Sequence, residues 1–189
     1  LSTSRNRKLG VILMKYKDEL IRSMEWLSEK DDTTFIGQSV KYSGNAIYNT
    51  LSTLPDEKLI ELPVFEEIQM SMSTGMAMNG LVPISCFPRF DFLMRCMDAL
   101  VNHLDKMQNM TEFTYRPKVI IRTSIGSTNP LNGGVQHTNN YTNEFKSILN
   151  EVKVVLLDEP EDIFPQFERA YNRQGSTLLI EHGDHYNDK

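Results

Sequence analysis

The sequence predicts an α/β fold: a three-layer α/β/α domain with a mostly parallel sheet in the middle layer. Three observations carry this. Segments with helical spacing of apolar residues alternate along the chain with short apolar runs. Those runs, such as KVII at 118–121 and VKVVLL at 152–157, are near-continuously apolar rather than alternating. That is the pattern of strands covered on both faces. The composition is also ordinary for a globular domain, with 40% apolar and 24% charged residues in 189, which excludes disorder and fibrous repeats as the dominant state.

The elements follow in order. Leu20, Ile21, Met24 and Leu27 recur at helical spacing and predict a helix over 15–29. Thr34 to Ile36 is a short strand ending at Gly37. A helix over 45–51 is stopped by the turn at Pro55-Asp56. Leu59 to Leu62 is a strand stopped by Pro63. Glu66 to Asn79 is a helix with Gly80 just past its end, a common C-terminal stop. A strand follows at Val82–Cys86, then the longest helix at Asp91–Met107 and a strand at Lys118–Arg122. The rest is a short helix at Glu144–Leu149, a strand at Val152–Leu157, a helix at Glu161–Arg173 and a last strand at Thr177–Ile180. The expected core includes Ile36, Leu59, Ile84, Leu100, Ile120, Val155 and Leu179.

No internal repeat and no Gly-, Ser- or Pro-rich linker divides the chain, so residues 14–189 are expected to form one domain. Residues 1–13 are basic, then apolar, and unpatterned. They are expected to be an extension outside the fold, with Met14 as a natural start. Their apolar stretch is about half the length of a signal-peptide core.

Lys plus Arg is 20 and Asp plus Glu is 25, giving a net charge of −5. Such a chain lacks the electrostatic footprint for a nucleic-acid backbone. Its apolar runs are far too short to span a bilayer. Two cysteines, Cys86 and Cys96, cannot make a disulfide framework. A cytoplasmic setting is expected.

One segment breaks the rhythm. Thr123 to Asn143 reads TSIGSTNPLNGGVQHTNNYTN, polar and without periodicity. Long loops in compact domains are usually functional or disordered. This one leaves the C-terminal end of a strand, where open parallel sheets place their ligands. It carries His137, which has no obvious partner in sequence. In the helix over 66–79, Ser71, Thr74 and Gly75 share one small-residue face. That face is either close packing within the domain or a subunit interface. Glu66 and Glu67 open the same helix, where acids ordinarily complement the helix dipole. Phe92 lies on a stripe with Cys96, Ala99 and His103, beside the core stripe of its helix. In the tail, His182, Asp184 and His185 have the chemistry of a metal site, but a solvated tail is the preferred reading. The sequence holds no nucleophile elbow, phosphate loop or Gly-x-Gly-x-x-Gly.

Together these pieces resemble a family. GQSVKYSG (37–44), ELPVFEE (61–67), TGMAMNGLVPI (74–84), FPRFDFLMRCMDALVNHLDKM (87–107), then VIIRTSIGS with GGVQHTNN, and VKVVLLDEPED follow in order. They are similar to the pyrimidine-binding domain of thiamine-diphosphate enzymes. The nearest likeness is to the beta subunit of the 2-oxo-acid dehydrogenases of the pyruvate and branched-chain type, with transketolase next. Each motif alone is weak, whereas all six in order and at comparable spacing are specific. The resemblance runs from about Phe35 to Glu181.

The resemblance implies roles. Glu66 matches the glutamate that hydrogen-bonds the cofactor's aminopyrimidine and promotes removal of the thiazolium C2 proton. Phe92 matches the aromatic residue that packs on the aminopyrimidine ring. His137 matches the loop histidine that approaches substrate. Gln38 stands after the first strand's glycine, at a cofactor-side position where the family usually carries an acid. The family's Gly-Asp-Gly run and downstream Asn, which hold Mg²⁺ and the diphosphate, are not in this sequence. The resemblance therefore implies a partner chain of the alpha type that supplies them. Thiamine diphosphate would be shared across a homodimer or heterotetramer, and the chain would be inactive alone. The family continues past the position of STLLIEHGDH into a further domain that this sequence does not include. Three functions stay open: a 2-oxo-acid enzyme half, a transketolase-type ketol-transfer subunit with Arg89 or Arg95 toward a phosphate, and a non-catalytic module that kept the fold.

Overall fold

The computed structural model describes residues 14–187. The expected extension at 1–13 lies outside these residues. Six strands form one sheet: β1 (Thr33–Gly37), β2 (Leu59–Glu61), β3 (Val82–Phe87), β4 (Ile120–Ile125), β5 (Lys153–Leu156) and β6 (Thr177–His182). Their order is β2-β1-β3-β4-β6-β5 and every pairing is parallel. The three-layer α/β/α prediction therefore holds. All strands point the same way, so all their C-terminal ends share one edge of the sheet. The chain steps from β1 outward to β2 and then back across to β3. The gap between β1 and β3 is thus a topological switch point, the usual place for a ligand crevice.

Helices cover both faces. α1 (Tyr16–Ser28) and α6 (Pro160–Asn172) pack over a core containing Leu20, Met24, Phe35, Ile84, Ile120, Phe167 and Leu179. On the other face lie α2 (Glu66–Met78), α3 (Phe90–Leu93) and α5 (Thr142–Ile148). They cover Met70, Phe87, Leu100, Ile121, Phe145 and Ile180. Alternation along each strand sends odd and even residues to different layers. This is why both parities are apolar in the central strands.

Several expectations are corrected. The helix expected over 45–51 reduces to a 3₁₀ turn at Tyr48–Thr50. There the Asn45 side chain accepts the Tyr48 N–H and holds the segment in turn geometry. The single helix expected at 91–107 starts at Phe90 and changes pitch along its length. After α3 come a 3₁₀ turn at Met94–Cys96, a π-helical stretch at Asp98–Leu104 and α4 (Met107–Met110). Just past the widened turn, buried Asp105 uses its carboxylate to accept the N–H groups of Asn150, Glu151 and Val152. β4 runs on to Ile125, so the irregular segment is shorter than expected. The expected core residues are buried except Val155, which is half-buried. Its strand β5 is an outer strand, paired only with β6, and so is not covered on both faces as VKVVLL implied.

Gly37 illustrates how tightly the switch point is built. A Cβ there would stand 2.4 Å from the Cys86 carbonyl oxygen and 3.3 Å from Gln69 Nε2. Gln69 is buried in α2 and its amide nitrogen reaches Ser85 Oγ at 3.1 Å and the Cys86 carbonyl at 3.0 Å. Ser73 Oγ joins Ser85 Oγ at 3.1 Å. These bonds fix α2, and hence its first residue, relative to β1 and β3. No helix among the described residues is long and apolar enough to cross a membrane.

Candidate functional site

The four residues singled out in the sequence come from four neighbouring positions in the sheet. Glu66 follows β2, Gln38 follows β1, Phe92 follows β3 and His137 follows β4. All four therefore lie on the C-terminal edge of the sheet.

Glu66 is the first residue of α2 and only 6% exposed. Its Oε2 lies 3.4 Å from Arg95 Nε, on the neighbouring helical run. Arg95, weighed in the sequence as a phosphate ligand or an ion-pair residue, is thus an ion-pair residue here. Glu67 turns into a different feature. With Ser71, Thr74, Gly75, Met78, Ala99, His103 and Met107 it lines a groove of about 280 Å³ on the outer side of α2. Consecutive helical residues diverge by ~100°, which separates the two glutamates. On the small-residue face, Thr74 is buried and bonded to the Met70 carbonyl. Ser71 and Gly75 stay open, and a Cβ on Gly75 would meet nothing within 4 Å.

Four consecutive residues after β3 hold the long loop. Arg89 Nη1 donates to the carbonyl oxygens of Gly126 and His137. The Phe90 ring meets Tyr141 edge-on at 5.6 Å. Asp91 Oδ1 accepts from Asn139 Nδ2. The Phe92 ring meets the His137 imidazole edge-on, with centroids 5.5 Å apart at 89°. Gly133 lets the loop fold back, since a Cβ there would stand 2.8 Å from His137 Cβ. His137 Nδ1 is buried without a hydrogen-bond partner, as is Asp91 Oδ2. The structure brings Phe92 and His137 together. It gives Glu66 a different neighbour, and no cavity described joins Glu66 to Phe92. Gln38 is half-buried, beside the switch point.

Sequence reasoning missed three supports. Glu61 at the end of β2 accepts the backbone N–H groups of Ser39, Val40 and Lys41 at 2.6, 2.8 and 2.8 Å. It fixes the loop that carries Gln38. Asp184 accepts from Thr128 Oγ1 at 2.7 Å and Asn129 N at 2.8 Å. Burial works against its ionisation, but the bonds from Thr128 and Asn129 outweigh it and hold the carboxyl below its ordinary range. Because Asp184 is engaged with the loop, and His182 Nε2 with Asp158 Oδ1 at 2.9 Å, the tail forms no metal cluster among the described residues.

The third support is a fully buried ion pair. Arg122 Nε donates to Glu181 Oε1 at 2.6 Å and Nη2 to Oε2 at 3.0 Å. The guanidinium also reaches Thr50 Oγ1 at 3.1 Å, and the Tyr186 hydroxyl donates to Glu181. The pair ties β4, β6, the Tyr48–Thr50 turn and the C-terminal turn beneath the site. Burial, and then the Glu181 charge, push the Tyr186 and Tyr16 hydroxyls well above the usual phenol range. A signal existed in the sequence: one Arg directly after VII (119–121) and one Glu directly after LLI (178–180).

Comparisons with known proteins agree with this architecture. A family profile described as the transketolase pyrimidine-binding domain matches residues 23–188. The chain is 28% identical over 160 residues to the pyruvate dehydrogenase E1 component subunit beta, mitochondrial, of Saccharomyces cerevisiae, covering 83% of this chain and 43% of that protein. It is 22% identical over 177 residues to the 2-oxoisovalerate dehydrogenase subunit beta of Bacillus subtilis, covering 90% and 52%. Among solved structures, a split-gene transketolase described as an inactive beta4 tetramer superposes with a TM-score of 0.61 at 12% identity, covering 90% of this chain and 52% of that one. This last likeness shows the fold. The chain spans about half the length of the curated relatives it matches.

Proposed function

The chain belongs to the transketolase pyrimidine-binding-domain family, and from that membership we propose that it is the pyrimidine-binding half of a two-chain thiamine-diphosphate enzyme acting on a 2-oxo acid. The likeness to the pyruvate and 2-oxoisovalerate dehydrogenase beta subunits supports the substrate class. In this reading an alpha-type chain supplies Mg²⁺ and the diphosphate site, and neither chain acts alone.

One observation carries the proposal: a carboxyl, Glu66, buried at the first turn of a helix beside the switch point of a parallel sheet. The residues fit the group. Glu66 is withdrawn from water, where a hydrogen bond from its carboxyl to a ligand meets little competition from solvent. Its ion-pair partner, Arg95, has a side chain 75% exposed and is free to move aside. The Phe92 ring, half-buried beside His137, offers an aromatic surface. The orphaned His137 Nδ1 is a polar atom waiting for a partner. When bound, thiamine diphosphate supplies the carbanion chemistry that no side chain can. Glu66 holds and moves a proton at the pyrimidine. Phe92 orients that ring, and His137 faces the substrate under control of Arg89 and the loop.

The test is reconstitution with the diphosphate-binding chain. Glu66→Gln should leave this chain folded by circular dichroism, yet slow exchange of the cofactor's C2 proton by ~10²–10⁴-fold, the range of a general acid–base group. Normal exchange in that variant would remove Glu66 from the chemistry. Turnover of a ketose phosphate but not a 2-oxo acid by the unmodified pair would favour the ketol-transfer alternative.

A further inference from the structure

A second feature lies away from this site, along the open edge of the sheet. β5 pairs with β6 on one side only. The Lys153 and Leu157 amides donate inward to Ser176 and Ile180. In a parallel ladder such residues alternate. The N–H and C=O groups of Val154 and Leu156 therefore face outward, unpaired. They form the floor of a groove of about 590 Å³, within the ordinary size range of ligand sites. Lys146 of α5 stands on one side, and Gln166, Arg169 and Ala170 of α6 with Arg173 just past its end on the other.

The groove is two-sided in chemistry. Val155 packs with the α1/α6 core, so Lys153, at the same parity, faces the α6 side. There it joins Arg169 and Arg173. Val154 and Leu156 pack with the α2/α5 core and are half-buried, which leaves an apolar strip on that side. Among the described residues, none of Lys146, Lys153, Arg169 and Arg173 is in an ion pair. The acid in the groove, Asp158, is paired with His182. This concentration of positive charge sits on a chain whose net charge is −5. A single edge lysine commonly serves to discourage self-pairing. Here the cations converge from α5, β5 and the C-terminal end of α6 around an unpaired strand edge with an apolar strip on one side.

We propose that the outer edge of β5 is a docking strand for an extended segment of another protein in which acidic and apolar residues alternate. Strand addition satisfies the outward Val154 and Leu156 backbone groups. Period-2 alternation then sends one set of side chains to Lys153, Arg169 and Arg173 and the other to the apolar strip. The inference is independent of the cofactor reading, because the groove shares no residue with that site.

The experiment uses a fluorescein-labelled Glu-Val-Glu-Val-Glu peptide and a Glu-Glu-Glu-Val-Val permutation of the same composition. The alternating peptide should bind in an anisotropy titration, weaken with added salt, and slow hydrogen exchange at the Val154 and Leu156 amides. Lys153→Glu/Arg169→Glu should weaken that peptide at least tenfold with an unchanged far-ultraviolet circular dichroism spectrum. The same variant should gain binding of Lys-Val-Lys-Val-Lys. Equal binding of the permuted peptide, no change in exchange at the two amides, or indifference to the charge reversal would overturn the proposal. It would also fail if both amides are already protected in the free chain. A dimer in light scattering that pairs two copies through this edge counts against it in the same way.

Discussion

Glu66 Oε2 lies 3.4 Å from Arg95 Nε, and the two partners differ sharply in exposure, 6% for the Glu66 residue against 75% for the Arg95 side chain. The contact joins the first residue of α2 to the helical run after β3. Because its cation is solvated, the pair is worth little to the fold, in the range of ~0–1 kcal/mol. Arg95→Gln should therefore lower the unfolding free energy from urea titration by no more than that, and in the reconstituted enzyme it should preserve cofactor activation. A large activity loss with intact stability would make Arg95 part of the site rather than a displaceable neighbour.

The Arg122–Glu181 pair should behave in the opposite way. Both side chains are fully buried, so removing one leaves an uncompensated charge in the core. Arg122→Met is expected to cost ~3–5 kcal/mol in urea unfolding. The double variant Arg122→Met/Glu181→Leu should be destabilised by clearly less than the sum of the two single changes. Strict additivity would show that the two groups do not interact energetically.

Two glycines make opposite predictions. Gly37→Ala forces a Cβ against the Cys86 carbonyl and the Gln69 amide, and should cost ~1–3 kcal/mol as overpacking. Gly75→Ala adds a methyl group in open space on α2. It should stabilise the isolated chain by ~0.5–1 kcal/mol through helix propensity. If the open α2 face meets another subunit, the same change weakens association in sedimentation equilibrium. Association unaffected by Gly75→Ala would place that interface elsewhere.

Asp184 gives a pH dependence. Its folded-state carboxyl titrates below the ordinary value because the Thr128 and Asn129 bonds outweigh burial. A depressed folded value adds stability above the unfolded pKa of about 3.9, and that stability is lost as pH falls through the folded value. The Thr128 and Asn129 amide resonances should therefore move with a midpoint below the usual carboxylate range. Asp184→Asn should remove this movement and flatten the acid limb of stability. Amide shifts that persist in Asp184→Asn would assign the effect to another group.

The sequence by itself determined the layer architecture and the order of the elements. Apolar periodicity is a local property and survives without knowledge of contacts, so α2 with its Gly80 stop was legible, and so was the parallel sheet. The ordered motifs likewise singled out Glu66, Phe92 and His137, which follow β2, β3 and β4 in the chain. Only the tertiary structure decided what lies beside what. Hydrogen bonds and ion pairs between residues distant in the chain leave no periodic trace, as with Glu61 on the 39–41 amides, Asp184 on the 128–129 loop, and Arg95 on Glu66. Strand order is equally non-local. VKVVLL reads as a covered strand, yet β5 ends at the edge of the sheet, where Val155 is half-buried and half of its strand's backbone faces outward. Local patterning records which side chains leave water, while their neighbours are set by long-range packing, which no short window contains.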